Sequence, residues 1–249
     1  MTISSDAELN ALRDIGRIVA QVLEAMGRAL EPGMTTAELD AIGRKLLDDA
    51  GAQPAPELTY DFPGATCISI NEEIAHGIPG PRKIRAGDLV NIDVSAEKGG
   101  FFADTGGSFA VPPVKRRIEA LCRDGKRAMW TGVRQVGAGR PLAGIGNAIG
   151  QFAAKNGYTL VTNLASHGVG RGLHEEPGEV PTWPDARERR VMHEGLVFTV
   201  EPFLSLGANW AADGNDPWTL YSKPRAPTVQ YEHTVVATRS GPLVITLAA

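Results

Sequence analysis

Only two cysteines occur among the 249 residues, Cys67 and Cys122. They allow no disulfide framework, and the composition fits a reducing compartment. No apolar run is long enough to span a bilayer. The polar start, Met1-Thr2-Ile3-Ser4-Ser5-Asp6, holds no apolar signal core. Excess positive charge is missing too: the net charge is −4, which supplies no broad basic field for nucleic acid. These absences lead to the expectation of a soluble, intracellular protein with no membrane and no specific nucleic-acid partner. Residues for a core are ample. At 43% hydrophobic, the chain can bury one large domain or two small ones.

Helical stripes come first. Leu9, Leu12, Ile15, Val19, Val22, Met26 and Leu30 step by three and four within Asp6 to Leu30, which predicts one amphipathic helix. Glu31-Pro32-Gly33 stops it. Thr35 with Glu38 forms a capping box for a second helix carrying Leu39, Ile42, Leu46 and Leu47. An irregular, Pro-rich stretch follows from Gln53 to Gly64, then a short strand at Cys67 to Asn71 and a His76-Gly77-Ile78-Pro79-Gly80 loop. The order then repeats: helices over Lys115 to Val136 and Pro141 to Lys155, then strands at Thr159 to Thr162, Leu196 to Glu201 and Thr228 to Thr238. No linker-like composition separates the repeats. The fold class expected is α+β, one domain over 1–249 with two similar halves, roughly 6–112 and 115–240, helices outside and sheets joined.

Asn91 to Asp104 reads as a hairpin, since Val90, Ile92, Val94 and Ala96 alternate with polar residues. A turn centred on Lys98-Gly99 sets Asp93 directly opposite Asp104, Cβ atoms ~5 Å apart. Two carboxylates there repel unless a cation lies between them; alone, they read as solvated aspartates. Glu201 and Glu232 stand near strand ends in the second half. If the halves are pseudo-symmetric, four carboxylates converge on one cleft, which makes sense as a divalent-cation site. The loop from Ala165 to Glu179 holds His167 and His174 amid glycines. His174-Glu175-Glu176-Pro177 lacks the second histidine of a helix-borne zinc protease motif, and the glycines do not fit a dinucleotide fingerprint.

The ordered blocks C-I-S-I-N-E-E-I-A-H-G-I-P (67–79), N-I-D-V (91–94), F-A-D-T (102–105), S-H-G-V-G-R-G-L-H-E-E-P (166–177), F-T-V-E-P (198–202) and Q-Y-E-H-T (230–234) resemble the type I methionine aminopeptidases. The resemblance spans nearly the whole chain. It implies the pita-bread fold, two pseudo-symmetric halves around a central curved antiparallel sheet with outer helices. It also implies a dinuclear metal site with ligands Asp93, Asp104, His167, Glu201 and Glu232, of which Asp104 and Glu232 bridge. Such an oxygen-rich set suits two divalent ions, Mn(II), Fe(II), Co(II) or Zn(II). The implied activity is metal-assisted removal of N-terminal methionine from nascent chains and peptides with a small second residue. Glu201 moves the water proton, His174 donates to the carbonyl oxygen, and His76 contacts the scissile nitrogen or its carbonyl. The methionine pocket takes Phe62, Cys67 and Trp218.

Two departures bear on the pocket: Leu173 stands where phenylalanine is common, and Thr59 where another aromatic is frequent. Other members of the fold that cleave X-Pro bonds are the alternative enzyme; a non-catalytic binding protein with the same fold is the alternative class. A Cys67 nucleophile paired with His76 lacks an orienting third group. The cluster Lys115-Arg116-Arg117 with Arg123, Lys126 and Arg127 reads first as a solvated helix face, with a transient ribosome contact as the other reading.

Overall fold

Ser5 opens the first helix: its hydroxyl accepts from the Glu8 N–H, satisfying one donor that a helix start leaves free. The computed structural model describes residues 1–248. In it α1 (Asp6–Ala29) buries Leu12, Ile15, Ile18, Val19, Val22 and Met26. At α2 (Thr36–Asp49) the capping box forms, with both reciprocal Thr35–Glu38 bonds present. The stretch after it is more ordered than its prolines suggest. It contains β1 (Gln53–Pro54) and a short helix, α3 (Ala55–Tyr60). Pro56 lies in the first turn, where a missing N–H would be unpaired anyway. Asp61, at φ +54, ends α3.

Next come β2 (Cys67–Ile70), β3 (Glu73–Ala75) and the hairpin of β4 (Leu89–Lys98) and β5 (Phe101–Ala110). Its register departs from expectation. Lys98 faces Phe101, so the turn is Gly99-Gly100, with φ values of +62 and +81. A two-residue turn that follows the strand twist needs positive φ at both central positions, and two glycines supply it without steric cost. Asp93 therefore faces Gly106, and Asp104 faces Ser95. The two acids are diagonal neighbours on one face rather than direct partners.

The second part of the chain runs α4 (Arg116–Val133), α5 (Ala143–Lys155), β6 (Thr159–Leu160), β7 (Ser166–Gly168), β8 (Glu175–Val180), β9 (Val197–Val200), β10 (Phe203–Ser205), β11 (Trp210–Asp213), β12 (Leu220–Lys223), β13 (Thr228–Gln230), β14 (His233–Thr238) and β15 (Gly241–Val244). The His167–His174 segment is thus a strand pair around a turn rather than a plain loop. The single strand expected over Thr228 to Thr238 breaks at Tyr231-Glu232. The cause is a long-range contact: Glu232 N–H donates to Gly106 O, and its carbonyl accepts from Thr105 Oγ1. That backbone unit therefore serves β5 instead of continuing one ladder.

Two larger sheets dominate. In one, β4 pairs with β5 on one side and with β1 and β2 on the other; the second runs β15-β14-β9-β7-β8. Hydroxyls fasten them together. Asp104 N–H donates to Thr234 Oγ1 at 3.0 Å, and that hydroxyl donates to Asp104 O at 2.8 Å. Under the first sheet α1 packs on Ile92, Val94 and Ala103; under the second α4 and α5 bring Leu121, Met129 and Ile149 against Phe198 and Val235. Burying each Ile, Leu or Phe contributes about 1.5–3 kcal/mol. Ile92→Ala, at a fully buried site beside Asp93, would cost ~2–5 kcal/mol. Of the basic cluster on α4, Arg123 and Arg127 are engaged with the buried Asp124. Among the described residues, no helix is long and apolar enough to cross a membrane.

Candidate active site

A cleft of about 400 Å³ draws its lining from both larger sheets. Its floor is acidic. Asp93 from β4, Asp104 from β5, His167 from β7 and Glu201, the residue after β9, line it; Glu232, at the break between β13 and β14, is buried beside Asp104 and His167 behind that lining. Ligand atoms of Asp104, His167 and Glu232 all lie within 4.8 Å of one another. His167 Nε2 is 3.7 Å from Asp104 Oδ2 and 3.5 Å from Glu201 Oε1. The five groups named from sequence are therefore brought together.

Burial dominates the electrostatics. It pushes Asp93 up to about 6. It also raises Asp104, Glu201 and Glu232 well above the usual carboxylate range, with neighbouring carboxylates adding to the shift. Some oxygens are spoken for: Thr199 Oγ1 donates to Glu201 at 2.9 Å, and Gln230 Nε2 to Glu232 Oε2 at 2.9 Å. Others are not. Asp104 Oδ1 and Glu232 Oε1 are buried without a hydrogen-bond partner. Leaving such atoms unpaired costs about 1–3 kcal/mol each or more, and crowding four carboxylates adds repulsion. Orphaned hard oxygens beside a neutral imidazole are the donor set a pair of divalent cations would satisfy. The residues fit that group.

His167 is prepared as an electron-pair donor. Its Nδ1 is 3.1 Å from Gly168 O. A carbonyl can only accept, so Nδ1 carries the proton and Nε2 turns a lone pair to the acids. Burial, with His174 beside it, lowers its pKa to about 3, keeping the ring neutral. His174 stands at the cleft mouth with its ring centroid 4.0 Å from that of His167, and burial lowers its pKa as well. His76 is held at φ +54, and desolvation by the cleft walls lowers its pKa. Its neighbour Gly77 lies flat on β2: an added Cβ would come 2.2 Å from Ile68 O. Only glycine permits that approach.

The wall is apolar. Phe62 and Trp218 meet edge to face with centroids 5.3 Å apart. Leu173 and Cys67 are buried and line the same cleft. Cys67 faces Asp93 across the β2–β4 ladder. Burial and the nearby acids push its thiol pKa well up, the opposite of an activated nucleophile. Thr59 is exposed and lies outside the cleft lining, while the adjacent Tyr60 lines it. Sequence reasoning also passed over Thr199, Gln230 and Ser166. Ser166 Oγ accepts from the Glu201 N–H at 2.9 Å. Their signal was present as polar residues on otherwise apolar strands beside a named acid.

Comparison with known proteins agrees with this geometry. The profile of metallopeptidase family M24 matches residues 10–239. Methionine aminopeptidase 2 of Bacillus subtilis (strain 168) is 44% identical over 247 residues, 99% of this chain and 99% of that protein. The solved structure of methionine aminopeptidase from Rickettsia prowazekii superposes with a TM-score of 0.94 at 31% identity, covering 99% of this chain and 100% of that one. Prolidase from Pyrococcus furiosus has a TM-score of 0.79 at 22% identity over 100% of this chain and 66% of its own, a likeness of fold alone. With a pita-bread fold, an acid-floored cleft and full-length relatives at this identity, the chain belongs to metallopeptidase family M24, on its methionine aminopeptidase branch.

Proposed function

We propose that the protein removes N-terminal methionine from nascent chains and short peptides, preferring a small second residue. Asp93, Asp104, His167, Glu201 and Glu232 would hold two divalent ions, from Mn(II), Fe(II), Co(II) or Zn(II). The observation that carries this reading is the pair of orphaned carboxylate oxygens, Asp104 Oδ1 at the floor of a cleft with an apolar wall and Glu232 Oε1 buried beside it. When bound, the cations supply Lewis acidity and lower the pKa of a water toward neutrality.

The chain's own groups do the rest. Phe62, Cys67, Leu173 and Trp218 take the unbranched thioether side chain. His76 contacts the scissile nitrogen or its carbonyl. His174 donates a hydrogen bond to the carbonyl oxygen as negative charge develops there. Glu201 accepts the proton released when water adds to the carbonyl carbon. It passes that proton to the departing amine as the C–N bond breaks. The products are free methionine and the shortened peptide. The protein works in this reading as one catalytic domain of two similar halves and as a monomer in the cytoplasm.

The test is hydrolysis of Met-Ala-Ser against a Gly-Pro peptide, with and without added Mn(II) or Co(II). Met-Ala-Ser should be cleaved and the Gly-Pro peptide left intact. Preferred cleavage of the Gly-Pro peptide would instead favour an X-Pro enzyme.

A further inference from the structure

Tyr60 ends α3 and reaches 114 residues along the chain to His174. The phenol oxygen lies 2.6 Å from His174 Nδ1, and the two rings pack at a tilt with centroids 5.6 Å apart. α3 is anchored for this. Its Ala55 and Pro56 are buried, Arg44 pairs with Glu57, and β1 ties its start to β4.

The two neighbouring imidazoles, tilted 45° to each other, meet different partners at the same nitrogen. His167 Nδ1 faces a carbonyl, which can only accept, so its proton sits on Nδ1. His174 Nδ1 faces a phenol, which can also donate. A phenol is a far better donor than acceptor, and imidazole presents its stronger acceptor through an unprotonated nitrogen. Burial raises the Tyr60 pKa, so the hydroxyl keeps its proton at neutral pH. With Tyr60 donating, His174 Nδ1 is the acceptor and the ring proton lies on Nε2.

We infer that Tyr60 is a positioning residue that fixes His174 in the Nε2–H tautomer and turns that N–H toward the reacting carbonyl. Two histidines 4.0 Å apart are thereby held in opposite tautomers, one presenting a lone pair and the other a proton. This inference rests on the proposed aminopeptidase reading for its consequence in catalysis, though not for the tautomer itself.

The experiment uses zinc-loaded protein with ¹⁵N-labelled histidine. Only five histidines occur, and His174→Gln identifies the signals of His174 by difference. Two-bond ¹H–¹⁵N couplings report which ring nitrogen carries the proton. In the wild type, His174 should carry it on Nε2 and His167 on Nδ1. Tyr60→Phe keeps the ring and deletes the hydroxyl. It should mix the His174 tautomers and lower kcat on Met-Ala-Ser about tenfold, with KM within about twofold and metal content unchanged. A purely structural role would leave the tautomer as it is. An Nδ1–H tautomer at His174 in the wild type, or a Tyr60→Phe kcat within about twofold of wild type, would overturn the inference. If the wild type cleaved no Met-initiated peptide, the functional reading would fail while the tautomer result still decided the role of Tyr60.

Discussion

The floor and the wall of the cleft are built by different rules. Floor groups, and Glu232 beside them, lie on strands of the two larger sheets or next to a strand end. Their backbones are fixed by ladders and by hydroxyl bonds such as Asp104 to Thr234 and Glu201 to Ser166. Wall groups come from connections and the ends of short elements: Phe62 follows a six-residue helix, Leu173 sits in the turn between β7 and β8, and Trp218 precedes β12. Chemistry that needs atoms held within about half an ångström belongs on rigid strands, whereas selectivity can be adjusted on connections without disturbing it. Floor substitutions should therefore change catalysis and metal content, and wall substitutions should change preference among substrates.

The largest effect is expected at Glu201. Glu201→Gln keeps the shape and removes the proton acceptor, and kcat should fall by about 10²–10⁴-fold. Near wild-type turnover would move the proton relay elsewhere. Second comes the contrast between the two neighbouring histidines. His174→Ala should lower kcat about 10²–10³-fold, the typical loss for one oxyanion donor, while metal content by emission spectrometry stays at the wild-type level. His167→Ala should lose metal. Equal metal loss in both variants would erase the distinction drawn between them.

The third effect is on stability. Folding raises the Asp93 pKa to about 6. That carboxyl therefore contributes stability below its unfolded pKa, and the contribution is lost as pH rises through the folded value. At pH 7 the metal-free protein should gain roughly 1–3 kcal/mol from Asp93→Asn, measured by urea unfolding, even as metal affinity drops. By the same sign, protons compete with the cation below about pH 6. Metal affinity should weaken as pH falls through that value, and binding at pH 6 should release protons. Calorimetry in buffers of different ionisation enthalpy reads this directly, and proton-neutral binding would contradict it.

The smallest effect belongs to the wall. Leu173→Phe fills apolar volume, and one methylene of fit is worth about 1–3 kcal/mol in discrimination. The ratio of kcat/KM for Met- over Leu- and norleucine-initiated tripeptides should rise, with metal content unchanged. An unaltered ratio would remove Leu173 from the pocket.

The helical stripes of α1 and α4 and the capping box at Thr35 were legible in the sequence, as was the nearness of Asp93, Asp104, His167, Glu201 and Glu232. Each rests on a local period or on a motif block. The hairpin register was missed because Lys98-Gly99 and Gly99-Gly100 are both plausible turns by composition. The requirement for positive φ at both central positions settles it for the glycine pair. The break at Tyr231-Glu232 was hidden because its cause, the bonds to Thr105 and Gly106, lies more than a hundred residues away. Tyr60 escaped for the same reason, since no local pattern tells that the end of α3 meets the turn carrying His174.

The most direct measurement is a metal titration followed by activity. Protein stripped by chelation should be inactive on Met-Ala-Ser. Mn(II) added stepwise should restore turnover, saturating by two bound ions per chain. Undiminished turnover in the stripped protein would contradict the assignment of the acid floor to a metal centre.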